Sequence, residues 1–65
     1  MKLAIQTAPN TLTIQSDART LIAPKHGKRA TGLVFGQSYR RVYQDNGGMY
    51  CLHNGKRASV YVLSA

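Results

Sequence analysis

Only two acidic side chains, Asp17 and Asp45, stand against nine lysines and arginines in this 65-residue chain, leaving a formal net charge of +7. A field of that sign attracts polyanions, whether nucleic acid, an anionic membrane or an acidic protein, without saying which. Cysteine is nearly absent as well. Cys51 has no second thiol to pair with in the chain, which excludes an intrachain disulfide and leaves an intermolecular bridge or a small packed side chain. No apolar run approaches the roughly 18 residues of a membrane span, and the N-terminus turns polar too early for a signal peptide. With no disulfide pairs, a cytoplasmic location is the expectation.

The sequence also lacks the spacings on which most site chemistry depends. There is no Gly-x-Ser-x-Gly elbow, no Gly-x4-Gly-Lys-Ser/Thr loop and no four-ligand metal pattern, so no cofactor or metal and no enzymatic activity are expected. Asp17 and Asp45 suit turns better than catalysis. His26 and His53 lie near corresponding basic turns and suggest a metal-free ribonuclease with Lys28 or Lys56 as anion stabiliser. That reading needs a concave site that so short a chain can barely enclose.

What is present is a folded basic domain. The apolar fraction is 43%, with four tyrosines and one phenylalanine, too much for a disordered basic tail. Residues 1–65 form one domain, and a chain of this length buries only about 60% of the surface that its unfolded form exposes. The core must be thin, and homo-oligomerisation is the expected supplement to its stability.

An internal echo organises the chain. Gly27-Lys28-Arg29-Ala30-Thr31 returns 28 positions later as Gly55-Lys56-Arg57-Ala58-Ser59. The same offset lays residues 12–37 over 40–65 and aligns Asp17 with Asp45, Val34 with Val62 and Ile14 with Val42. Two copies cannot build a solenoid, but they predict duplicated hairpins.

Strand signals run throughout. Leu3 and Ile5 alternate with polar or small residues over 2–7, Ala8-Pro9-Asn10 turns the chain, and Leu12 and Ile14 return. Ser16 to Ala23 reads locally as a short helix, whereas the echo sets Asp17-Ala18-Arg19-Thr20 on the hairpin signal Asp45-Asn46-Gly47-Gly48. A turn over 17–20, or at most one helical turn, is therefore expected, followed by a short strand through Leu21 and Ile22. Beyond the loop at 24–28, residues 29–35 read as a buried strand that Gly36 ends or bulges. Residues 39–44, 49–53 and 57–63 form a three-stranded meander.

Register in the last hairpin depends on the loop at Asn54-Gly55. A two-residue loop sets Leu52 opposite Arg57 and Tyr50 opposite Ser59, mixing polar and apolar residues. A three-residue loop sets Leu52 opposite Ala58 and Tyr50 opposite Val60, which separates the faces better and is preferred. It places Tyr50, Leu52, Ala58, Val60 and Val62 inside, with Cys51, His53, Ser59 and Tyr61 outside or in a dimer. The expected fold is all-β: a six- to seven-stranded SH3-like barrel, or a curled antiparallel sheet completed by a partner chain, with a duplicated three-stranded meander.

Two features point to a partner. The basic turns carry Lys28, Arg29, Lys56 and Arg57, a point charge beside a planar fork that matches phosphate oxygens. Tyr39-Arg40-Arg41-Val42-Tyr43 would place Tyr39, Arg41 and Tyr43 on one strand face, where tyrosines stack bases while Arg40 and Arg41 hold phosphates and Tyr61 extends the platform. Each feature has a plainer explanation: charges at hairpin tips keep a small domain soluble, and tyrosines pack over thin cores. Together they favour a nucleic-acid-binding module for DNA or RNA. The alternative is a protein-interaction, inhibitor or assembly module that meets an acidic protein.

Overall fold

The computed structural model describes residues 1–23, 25, 27 and 29–64, which form seven strands. They are β1 (Lys2–Ala8), β2 (Thr11–Gln15), β3 (Arg19–Thr20), β4 (Ala30–Phe35), β5 (Arg40–Asp45), β6 (Gly48–His53) and β7 (Lys56–Ser64). Every pairing is antiparallel, in the order β2-β1-β7-β6-β5-β4-β3. The all-β expectation holds, as does the strand count.

That order dictates the shape. Laid flat, seven strands about 4.8 Å apart would hold their two edges about 29 Å from each other. Yet the edge strands β2 and β3 are consecutive in the chain, joined only by Ser16, Asp17 and Ala18. Four Cα steps from Gln15 to Arg19 reach about 14 Å at most. The sheet must curl until its edges approach, and the result is a half-barrel of SH3-like or curled-sheet kind. At the seam Asp17 Oδ2 accepts a hydrogen bond from Gly36 N at 2.8 Å, and Ala18 is buried in the core.

The core fills the concave side. Leu3 and Ile5 of β1, Phe35 of β4, Val42 of β5, Cys51 of β6, and Ala58 and Val60 of β7 pack with Ala18. Strand β7 serves both halves of the sheet. Lys56 to Ser59 pair with β6, and the strand then pairs with β1 from Ile5↔Val60 outward.

The last hairpin takes the register with the poorer separation of faces. Its pairs are Tyr50↔Ser59, Cys51↔Ala58, Leu52↔Arg57 and His53↔Lys56 around a two-residue Asn54-Gly55 loop. The three-residue loop is overturned because Asn54 and Gly55 both adopt positive φ, 53° and 76°, as the tight turn matching strand twist requires. The faces exchange accordingly: Cys51 is fully buried and Leu52 is 52% exposed. Tyr50 is half-buried, while Ala58 and Val60 are inside, and Ser59 and Tyr61 outside, as expected. An added Cβ at Gly55 would meet no atom within 4 Å, so only its backbone conformation resists substitution. Gly55→Ala is expected to cost about 1–2 kcal/mol. A lowered urea midpoint at unchanged m-value would register it.

The segment after β2 also departs from expectation. Residues 17–20 are not a turn: Arg19 and Thr20 already form β3, opposite Val34 and Leu33. Leu21 N still reaches Gly32 O at 2.6 Å, but Ile22 is wholly exposed. Fixing Asp17 to Gly36 and burying Ala18 send the chain out extended at Arg19, two residues before the expected strand. The echo does not carry over into pairing. Strands β5, β6 and β7 form the expected meander, whereas β2 and β3 occupy opposite edges of the sheet. Aligned positions differ in burial, Val34 being 1% and Val62 46% exposed.

Candidate functional site

Alternation along β5, β6 and β7 turns Val42, Cys51 and Ala58 inward, so Tyr43, Tyr50 and Arg57 share the outer face. Tyr43 lies opposite Tyr50, their ring centroids 5.6 Å apart with planes 29° from parallel. The Arg57 guanidinium covers the Tyr50 ring at 4.2 Å and forms a fork on Asp45, with Nη1 to Oδ2 at 2.5 Å and Nη2 to Oδ1 at 2.6 Å. Asp45 Oδ1 also accepts from Gly47 N at 2.8 Å, tying the stack to the β5–β6 turn. The cross-strand register thus joins two aromatics, a cation and a carboxylate into one supported row.

The same geometry shifts both ionisable partners. The Arg57 hydrogen bonds hold Asp45 below the usual carboxylate value, aided by the Gly47 N–H and opposed by desolvation, while Asp45 raises Arg57. A depressed carboxylate contributes stability above its unfolded value of 3.8 and loses it as pH falls through the lower folded value. Urea midpoints should therefore decline as pH falls below 3.8, and Asp45→Asn should flatten that decline.

Of the expected nucleic-acid residues, the structure brings Tyr43 and Arg57 together in this row and places most of the others elsewhere. Tyr39 precedes β5 in a left-handed turn conformation, φ 53°, and therefore does not join Arg41 and Tyr43 on a strand face. Its ring instead carries the Arg19 guanidinium at 4.3 Å. Tyr43 and Tyr50 stack on each other, and Tyr61 lies where β7 pairs with β1, donating to Gln6 Oε1 at 3.3 Å. Arg40 reaches over Phe35 at 5.8 Å; Arg41 is half-buried, its Nε buried and without a partner among the described residues. Arg29 and Lys56 are exposed, Arg57 is committed to Asp45, and Lys28 and His26 lie outside the described residues.

The strands expose Lys2, Arg19, Arg40 and Lys56 singly, and the large side chains they gather on one solvent face are apolar rather than basic. Leu12 is 57% and Ile14 51% exposed, and Leu52, Tyr61, Val62 and Leu63 are exposed with them. The expected basic DNA- or RNA-binding surface is corrected on that ground. Leu12 and Ile14 face Gln6 and Ala4, and Ala4 in turn faces Tyr61, so these side chains share the outer face of β2, β1 and β7. Sequence reasoning missed this row because alternation identifies two faces without saying which is inside. The available signal was the complete absence of charge over Thr11–Gln15.

Among the described residues, no group of three or more His, Cys, Asp and Glu side chains could hold a metal ion. No helix among them is long and apolar enough to cross a membrane. Burial pushes the Cys51 thiol up, with Arg40 opposing, which disfavours the reactive thiolate. No protein-family model, curated protein or solved structure matches the chain.

Proposed function

We propose that this chain is a non-catalytic protein-interaction module that binds an acidic protein surface. The exposed row Leu12, Ile14 and Tyr61 on the outer face of β2, β1 and β7 is the observation that carries the reading. Apolar side chains gathered on one solvent face mark contact surfaces more often than scattered exposure does. Lys2 begins β1 on the same face, and the net charge of +7 selects a partner of opposite sign. Apolar contacts would supply affinity while the surrounding field speeds encounter and rejects basic competitors.

The test uses a fluorescein-labelled peptide alternating valine and glutamate, with its valine-lysine counterpart as control. Anisotropy titration should show saturable binding of the glutamate peptide, weakened by added salt, and none of the lysine peptide. Equal binding of both peptides, or binding of neither, would remove the proposal.

A further inference from the structure

Strands β1 and β7 pair only as far as Ile5↔Val60 and then separate. Beyond that point Gln6, Thr7 and Ala8 stay with the β2 hairpin, while Lys56 to Ser59 stay with β6. A cleft of about 500 Å³ opens between the two hairpins. Its volume falls within the 300–1,000 Å³ or so typical of ligand pockets. Backbone groups that point into it from either strand have no ladder partner across the gap.

The lining has one sign of charge. Lys56 and Arg57 stand on the β7 side, Gln6 and Thr7 on the β1 side, and no carboxylate among the described residues lines the cleft. Arg57 is held by Asp45, but Lys56 has no carboxylate partner among the described residues. On the outer face, Leu12 lies opposite Gln6 on one flank and Leu52 lies opposite Arg57 on the other. An extended segment between the strands would meet unpaired main chain on both sides and a lysine at one end, with Leu12 and Leu52 one strand further out.

Building on the acidic-partner reading above, we propose that the split between β1 and β7 is a binding site for an extended, carboxylate-bearing peptide segment of the partner, which enters as an added strand. Main-chain hydrogen bonds give such strand addition its affinity, and alternate side chains give it selectivity. Here carboxylates would meet Lys56, and the main chain would pair with Gln6–Ala8 on one side and Lys56–Ser59 on the other.

The experiment follows amide hydrogen exchange and ¹⁵N shifts of the intact chain as the valine-glutamate peptide is added. Fast-exchanging amides within Gln6–Ala8 and Lys56–Ser59 should become protected. Lys56→Glu should weaken binding about tenfold, whereas the charge-matched Lys25→Glu should change it by no more than about twofold. Shifts confined to Leu12 and Ile14 without new protection along the cleft would overturn the site, as would equal loss in the two variants. Either result leaves the acidic-partner reading intact, whereas failure of the wild-type chain to bind the peptide at all removes both.

Discussion

Leu3→Ala is expected to leave the chain largely unfolded at 25 °C. Leu3 is fully buried, lies between Gln15 of β2 and Val62 of β7, and belongs to the cluster of core side chains. Truncating a buried leucine costs about 2–5 kcal/mol once the cavity is included. A single core in a domain below about 70 residues seldom supplies more than about 3–5 kcal/mol. The loss is therefore comparable to the whole stability. It also strikes the β1–β7 pairing, the contact that joins the β1–β2 hairpin to the rest of the sheet. Far-UV circular dichroism should show a collapsed urea transition, and amide spectra should lose their dispersion. A variant that kept a sharp transition near the wild-type midpoint would place Leu3 outside the core.

The double variant Leu12→Ser/Ile14→Ser should have the opposite profile. Both side chains are more than half exposed on an edge strand, so stability should move by no more than about 0.5 kcal/mol for each. Binding of the acidic peptide should suffer. Fully burying a leucine or isoleucine is worth about 1.5–3 kcal/mol, and about half of each side chain remains to be covered in a complex. Two such losses come to about 2 kcal/mol, a fall in affinity of about thirtyfold. Unaltered affinity in a folded double variant would move the contact surface away from β2.

Every strand but β3, and most of the turns, were legible because they rest on local chemistry. Pro9-Asn10, Asn46-Gly47 and Asn54-Gly55 lie where two-residue connections join neighbouring strands. Register was harder to read. Separating faces around Asn54-Gly55 favoured one pairing, while positive φ at both residues imposed the other. The outer face accommodates the consequence because Arg57, opposite exposed Leu52, is held by Tyr50 and Asp45. Neither contact could be read from spacing alone.

The candidate surface was less legible than the fold, for a related reason. A formal charge of +7 counts cations without placing them. Folding sends Arg57 to Asp45, Arg19 over Tyr39 and Arg40 over Phe35, and half-buries Arg41. Tyr39 looked like the start of a strand face, but its left-handed backbone places it in the turn before β5. The β1–β7 ladder is a long-range pairing with no local signature, and the cleft where it ends was correspondingly invisible. The uncharged composition of β2 was visible in the sequence. Its exposure emerged only when Leu3 and Ile5 took the concave side of β1 and left Ala4 and Gln6 opposite Ile14 and Leu12.

Competition between polyanions tests the central claim most directly. The labelled valine-glutamate peptide is bound to the wild-type chain at about physiological ionic strength, where the range of exposed charges shrinks to about 8 Å. A random-sequence DNA duplex is then titrated in excess, with unlabelled peptide as the parallel competitor. The unlabelled peptide should displace the probe fully and the duplex should leave it bound, because apolar contacts at Leu12, Ile14 and Tyr61 survive screening while attraction of phosphate does not. Displacement by duplex DNA as effective as displacement by the peptide would contradict the account and return the surface to general polyanion binding.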